Sequence, residues 1–180
     1  LSSGQQVDLI CCQDSRGYND VMIAVSQLHM EMLSEIVGRL SPEKKVTCII
    51  SQTTELIYED IEAGRQKSGY NALMLAVDYG IFKEKQKYHL DYHPGSMISI
   101  LLNDLTPEQQ MTVILQENSK HRNALHLTER DGALTMYLLQ YIPLEHMAKC
   151  ISSLDDTQWE SVLQAAVKEK NNYILSCILQ

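Results

Sequence analysis

The sequence predicts an all-α fold built as a helical repeat solenoid, and three observations carry that expectation. Two blocks of sequence recur at fixed spacing along the 180 residues. Glycine and proline are scarce, at 8 and 4, whereas a β-sandwich of many short strands needs more turn residues than that. Leu, Met, Ala, Gln and Glu are frequent, and all five favour helix. An apolar fraction of 44% and a charged fraction of 21% are ordinary for a folded domain, and the length suffices for one core or a short solenoid.

The blocks come in two sets. GYNDVMIAV (17–25), GYNALMLAV (69–77) and HRNALHLTE (121–129) form the first. LSPEKKVTCII (40–50), LTPEQQMTVIL (105–115) and IPLEHMAKCIS (142–152) form the second, and LSSGQQVDLIC (1–11) is a further copy of it. Gln6 to Asn19 and Gln110 to Asn123 are both steps of 13 residues, and the same step from Met147 reaches Glu160, which opens ESVLQAAV (160–167), a degenerate first block. Leu105 to Ile142 and Asn123 to Glu160 are both 37, so the unit is 37 residues long. Asn19 to Asn71 and Asn71 to Asn123 are both 52. The surplus falls within roughly 53–67, at 28–29 and within roughly 81–95. The chain thus reads as one domain over 1–180, with units at 17–68, 69–120 and 121–157 and partial units at 1–16 and 158–180. Because it opens on Leu1 and both ends fall inside units, it is expected to be a piece of a longer protein.

Each unit is expected to hold three short helices. Asn71 is the N-cap of the first, over an apolar run free of glycine and proline. The second spans HMEMLSEIVGRL (29–40), where Met32, Leu33, Ile36, Val37 and Leu40 keep helical spacing, and MISILLNDL (97–105) in the next unit. The third opens on a capping signal: Thr106 caps, Pro107 takes the first helical position and Gln109 reaches back, and Ser41 and Pro42 repeat the pattern. A triplet of this size cannot bury its apolar face alone, so neighbouring units must stack.

The two insertions differ in character. IFKEKQKYHLDYHPG (81–95) is locally basic through Lys83, Lys85 and Lys87 and carries Tyr88, His89, Tyr92 and His93. It is read as a projecting loop, either part of a binding face or merely tolerated. TTELIYEDIEAGRQK (53–67) is acidic, and Leu56, Ile57 and Ile61 form the stripe of an extra helix capping a gap in the stack.

Composition narrows the chemistry. A net charge of −8 repels phosphates and anionic lipid heads, so no nucleic-acid partner is expected. No apolar run approaches the roughly 18 residues of a membrane-spanning helix. The five cysteines, Cys11, Cys12, Cys48, Cys150 and Cys177, are odd in number and irregular in spacing. That suits reduced thiols in a cytoplasmic-type environment better than a disulfide framework. Cys48 and Cys150 share a repeat column with Val113 and Leu9, and Cys11 shares one with Ile50 and Leu115, which marks them as core residues. His89 and His93 lie four apart with Asp91 between them, but no third ligand accompanies them, and no metal is expected. There is no P-loop, GxGxxG, HExxH or GxSxG motif. Neither a catalytic residue nor a cofactor is expected, and the chain is read as not an enzyme.

The first block resembles the ankyrin repeat. Asn123, Ala124, Leu125, His126 and Leu127, followed by Gly132 and LTMYLL (134–139), match its pattern of turn, helix, glycine break and Leu-rich helix. Gly69, Asn71, Ala72, Leu73, Leu75, Ala76 and Gly80 match in the preceding unit, and Gly17, Asn19 and Ala24 in the first. The chain departs from the family in using Asn for the capping Thr, in a 37-residue period against about 33, and in its capped third helix. In this it looks like the divergent ankyrin-like repeats of bacteria living inside eukaryotic cells, which implies a host-directed effector delivered into a host cell. The alternative fold is another α-solenoid of helical hairpins or triplets.

The resemblance implies a protein–protein interaction scaffold with a concave binding face. One column precedes each cap: Tyr18, Tyr70, Arg122 and Trp159, residue types that often anchor interfaces. A second follows the first helix: Ser26 and Gln27, Asp78 and Tyr79, Arg130 and Asp131. The loop residues Tyr88, His89, Tyr92 and His93 join them. Whether the aromatics face a partner or pack on the neighbouring turn stays open. His126 falls where ankyrin repeats keep a structural histidine bonding the turns. Acidity suggests a neutral or basic protein partner. The alternative function is a substrate-positioning segment of a larger enzyme whose catalytic domain lies outside this chain.

Overall fold

The computed structural model describes residues 8–54, 68–85, 94–128 and 131–178, with backbone alone at 80–85, 94 and 178. Among these residues the regular structure is helical and contains no strand. After a short helical stretch at 8–10 come α1 (Asp20–Ser26), α2 (Met30–Gly38) and α3 (Pro42–Ile50). They are followed by α4 (Ala72–Lys85), α5 (Pro94–Leu102) and α6 (Pro107–Leu115), then α7 (Ala124–Leu127), α8 (Gly132–Leu139) and α9 (Leu144–Ser152). Helices α10 (Asp156–Lys168) and α11 (Asn172–Ile178) close the chain.

The helix starts are set by side chains written into the sequence. Asn19, Asn71 and Asn123 accept hydrogen bonds from the backbone N–H groups of Met22, Met74 and His126 at 3.0, 2.8 and 3.2 Å, and so cap α1, α4 and α7. Ser41 caps α3, accepting from Lys44 N at 3.4 Å. Thr106 and Gln109 close a reciprocal capping box at 3.3 and 2.9 Å on α6. Pro42 and Pro107 take the first helical positions, where the missing N–H costs nothing. The helices α1, α4 and α7 pack successively on one another, as do α2, α5 and α8, and α3 packs on α6.

The core runs through these contacts. Leu73 and Leu125 are fully buried, as are Met22, Leu33, Ile49, Met97, Leu101 and Ile114. Cys48 and Val113 occupy one buried column with Cys150, as their register predicted. Leu9 breaks the column and is 55% exposed.

The cap asparagines do more than start helices. Asn19 Nδ2 donates to the carbonyl of Cys48 at 2.7 Å, and Asn71 Nδ2 donates to the equivalent carbonyl of Val113 at 3.3 Å and to Gln116 Oε1 at 2.6 Å. Each ties the first helix of a triplet to the third. Asn71→Ala is therefore expected to cost about 2–3 kcal/mol, a lost cap plus a buried carbonyl left unpaired. Urea unfolding monitored by circular dichroism checks it.

Several expectations are corrected. Helix α4 runs through Gly80 to Lys85, so Gly80 is not a break and the basic insertion begins as helix. Residues 86–93 of that insertion, with Tyr88, His89, Tyr92 and His93, lie outside the described residues, as do 55–67 of the acidic one. Helix α5 starts at Pro94 and ends at Leu102, earlier than the 97–105 expected. In the last partial unit Glu160 does not open the helix. Asp155 caps α10 in a box with Gln158, at 2.8 and 3.4 Å, and this local signal starts the helix at Asp156. Trp159 accordingly lies inside the first turn of α10 rather than before its cap.

The cysteine expectation also changes. Cys11 and Cys48 form a disulfide across 37 residues, with Cα atoms 5.1 Å apart, while Cys12, Cys150 and Cys177 are free. The segment ending at residue 11 lies against α3, where Lys44 also pairs with Asp8 at 2.8 Å. Irregular spacing gives no sign of this pairing, because it arises from the contact between two segments one unit apart.

Candidate functional site

The connection preceding the first helix of each triplet has one geometry, met three times. Gly17, Gly69 and His121 adopt left-handed backbone with φ of 82°, 75° and 56°, each two residues before the cap asparagine. In the first turn Asp14 N donates to Tyr18 O at 2.8 Å and Gly17 N to Asp14 O at 2.9 Å. In the third, Asn118 N donates to Arg122 O at 2.9 Å and His121 N to Asn118 O at 3.0 Å. Side-chain oxygens of Asp14 and Asn118 accept from the second and fourth following N–H groups, at 2.8–3.0 Å, an arrangement aspartate and asparagine favour in turns.

The middle turn keeps these bonds across the acidic insertion. Thr53 N donates to Tyr70 O at 2.9 Å, Gly69 N to Thr53 O at 2.8 Å, and Tyr70 N to Thr53 Oγ1 at 3.0 Å. Thr53 and Tyr70 stand 17 residues apart where Asp14 and Tyr18 stand 4 apart. The acidic insertion is thus spliced into a turn whose closing bonds survive.

The turns also touch one another. Thr54 N donates to Arg16 O at 3.0 Å, and Ser119 Oγ to Ser68 O at 2.8 Å. Gln13 Nε2 donates to Gln52 O at 2.9 Å, and Gln52 Nε2 to Glu117 O at 2.7 Å. These contacts explain the glycines. A Cβ on Gly17 would lie 2.6 Å from Thr54 N, and one on Gly69 would lie 2.6 Å from Ser119 N. Each glycine makes room for the following turn. In the third turn the left-handed position is held by His121.

Charge is concentrated at the turn tips. Burial works to raise the Asp14 carboxyl, but the N–H groups of Tyr18 and Arg16 and the Arg16 guanidinium outweigh it and hold the pKa below the usual aspartate value. Arg16 reaches Asp14 at 3.2 Å and lies over the Tyr18 ring at 5.4 Å. Asp155 is likewise held low by the Thr157 hydroxyl, with the Gln158 N–H and Arg122 adding to it.

The expected anchor column is only partly exposed. Tyr18 and Tyr70 are buried, at 6% and 8%. They pack within the core beneath the turns, which corrects the reading of them as surface anchors. Asp78 is buried at 6%, on α4, and Tyr79 is half-buried. Ser26 bonds back to Ile23 O at 2.9 Å, and Gln27 is exposed at the end of α1. Asp131 caps α8, accepting from Leu134 N at 2.9 Å. Arg130 lies outside the described residues.

What the fold does bring together is Arg122, His126, Asp155, Gln158 and Trp159. Arg122 donates to His126 O at 2.5 Å, and Gln158 Nε2 donates to Leu125 O and His126 O at 3.0 and 3.1 Å. Trp159 follows Gln158 in the first turn of α10 and is 38% exposed. The His126 ring closes its own cap, with Nδ1 3.3 Å from Asn123 N, rather than bonding neighbouring turns. Gln158, 2% exposed, was not anticipated; the Asp–x–x–Gln box at 155–158 was its visible signal. No group of three His, Cys, Asp or Glu side chains converges to hold a metal among the described residues, and no helix there is long and apolar enough to cross a membrane. The chain matches no family model, no curated protein and no solved structure.

Proposed function

We propose that this chain is an ankyrin-like helical-repeat module that binds another protein. The observation that carries the reading is the recurrence of one turn at Asp14–Tyr18, Thr53–Tyr70 and Asn118–Arg122, with the turns hydrogen-bonded in series. Stacked units that spend their apolar faces on one another leave a continuous edge of turns and helix ends, which repeat proteins use to meet partners. The side chains assigned to anchoring are Arg122, half-buried in the third turn, and Trp159, exposed in the first turn of α10. Gln27 at the end of α1 and Asp131 at the start of α8 are the further candidate contacts. A net charge of −8 favours a neutral or basic partner.

Affinity capture from eukaryotic lysate tests the reading, comparing the wild type with Arg122→Ala/Trp159→Ala, both verified as folded by circular dichroism. Tyr18 and Tyr70 are left intact because they are core residues. A protein held by the wild type and lost by the double variant is the expected result. Retention by both moves the site off this face, and capture of nothing by either removes the binding-module reading.

A further inference from the structure

Lys45 occupies a position that is uncharged in the neighbouring units. Counted from the start of each third helix, its equivalents are Gln110 in α6 and Met147 in α9. Met147 is fully buried. Gln110 is half-buried and folds back onto its own unit, donating to Leu102 O at 3.1 Å. Lys45 is 3% exposed, yet it reaches into the following unit, where Nζ donates to the carbonyl of Asn103.

A buried ammonium is a poor choice for packing alone, since its charge loses water and its one hydrogen bond goes to a neutral acceptor. Burial pushes the Lys45 pKa below the usual lysine value, and the Asp104 carboxylate restores part of it. The column takes glutamine or methionine elsewhere in the same fold without that penalty.

What distinguishes this position is the space beside it. Lys45 lines a cavity of about 310 Å³ between α2, the α2–α3 connection and the end of α5. Val37, Leu40, Pro42 and Ile100 give it apolar walls, and Asp104 stands at its exposed rim. The volume is at the small end of ligand sites, which run from ~300 to ~1,000 Å³. It adjoins the first turn of α3, whereas the turn edge follows that helix's other end.

We propose that this cavity binds a small monocarboxylate with an aliphatic tail. The ammonium has three N–H donors. One serves Asn103, and the carboxylate oxygens take the others while the tail covers the apolar walls. Asp104 at the rim repels a second negative charge, so a monocarboxylate is preferred to a dicarboxylate. The same chemistry is offered by a free short-chain acid and by a peptide ending in an aliphatic residue.

Calorimetric titration with hexanoate, hexanol and adipate tests the site. Wild-type protein is expected to bind hexanoate, with hexanol at least about tenfold weaker, as losing a charge-assisted hydrogen bond implies, and with adipate weaker because its second carboxylate meets the apolar walls and Asp104. Lys45→Met installs the residue found at position 147, and Lys45→Gln that found at 110; whichever is folded by circular dichroism is expected to lose hexanoate affinity by a similar factor. A short peptide ending in leucine with a free carboxylate, run against its amide, separates the sources. Tighter binding than hexanoate identifies a chain terminus, and weaker binding a free acid. Absence of hexanoate binding at millimolar concentration, parity of hexanol with hexanoate, or unchanged hexanoate affinity in a folded Lys45 variant would overturn the proposal.

Discussion

Leu73→Ala is expected to destabilise the protein by about 2–5 kcal/mol, and more than Leu125→Ala. Both leucines are fully buried and hold the same register in α4 and α7. Their surroundings differ. Helix α4 is covered by α1 on one side and α7 on the other, so a cavity at Leu73 is walled by three successive units and collapses poorly. The cost of a large-to-small change grows with the cavity that remains. Urea unfolding provides the measurement: the midpoint should fall with little change in slope if the units unfold together. Neutral behaviour at both positions would mean that the register of the units is wrong. A broadened transition for Leu73→Ala alone would mean that the outer units hold together after the middle one has opened, as nearest-neighbour coupling allows.

The second large effect is expected at Gly132, the first residue of α8. A Cβ there would sit 2.0 Å from the carbonyl oxygen of Ser161 and 2.4 Å from its carbon. Both atoms are backbone of α10, the helix packed most intimately against α8. No rotamer change relieves such a clash; the helices must separate. Gly132→Ala is expected to cost about 3 kcal/mol, the upper part of the overpacking range. Hydrogen exchange should locate the loss in α10 and α11 before the rest of the chain. Gly38→Ala is the matched control. Nothing lies within 4 Å of its Cβ position at the end of α2, so relief of glycine's unfolded-state freedom should make it neutral or stabilising by up to about 1 kcal/mol.

Gly132 also illustrates how much of the fold the sequence announces. The sequence places a helix at 134–139 after this glycine, and helix α8 takes the glycine in as its first residue. The reason for a glycine at that place is the approach of Ser161, about thirty residues further along the chain, and no pattern local to Gly132 contains it. Gly17 and Gly69 are similar. Their place in a recurring block is legible, whereas the backbone they admit belongs to the next turn.

The helix caps stand at the other extreme. Asn71, Ser41 and Thr106 act on N–H groups three residues away, so residue type and order suffice to identify them. The same short range allowed Asp155 and Gln158 to start α10 ahead of the expected Glu160. The expected recurrence is legible for a related reason: Asn19, Asn71 and Asn123 make the same cap bond, and the same side chain recurs at each.

Burial of Tyr18 and Tyr70, the Cys11–Cys48 bridge and the cavity at Lys45 are a different kind of fact. Each depends on which surface of one unit the next unit covers. A tyrosine beside a left-handed glycine can face a partner or lie beneath the turn, and its own neighbours in sequence are the same in either case. Cys11 and Cys48 become partners only when segments 37 residues apart lie side by side, and Lys45 meets Asn103 across 58 residues. Local capping and periodic apolar spacing therefore specify the helices and their order. Side-chain exposure, covalent pairing and cavities follow from long-range packing, because the energies that set them belong to contacts between units and not to any stretch of chain.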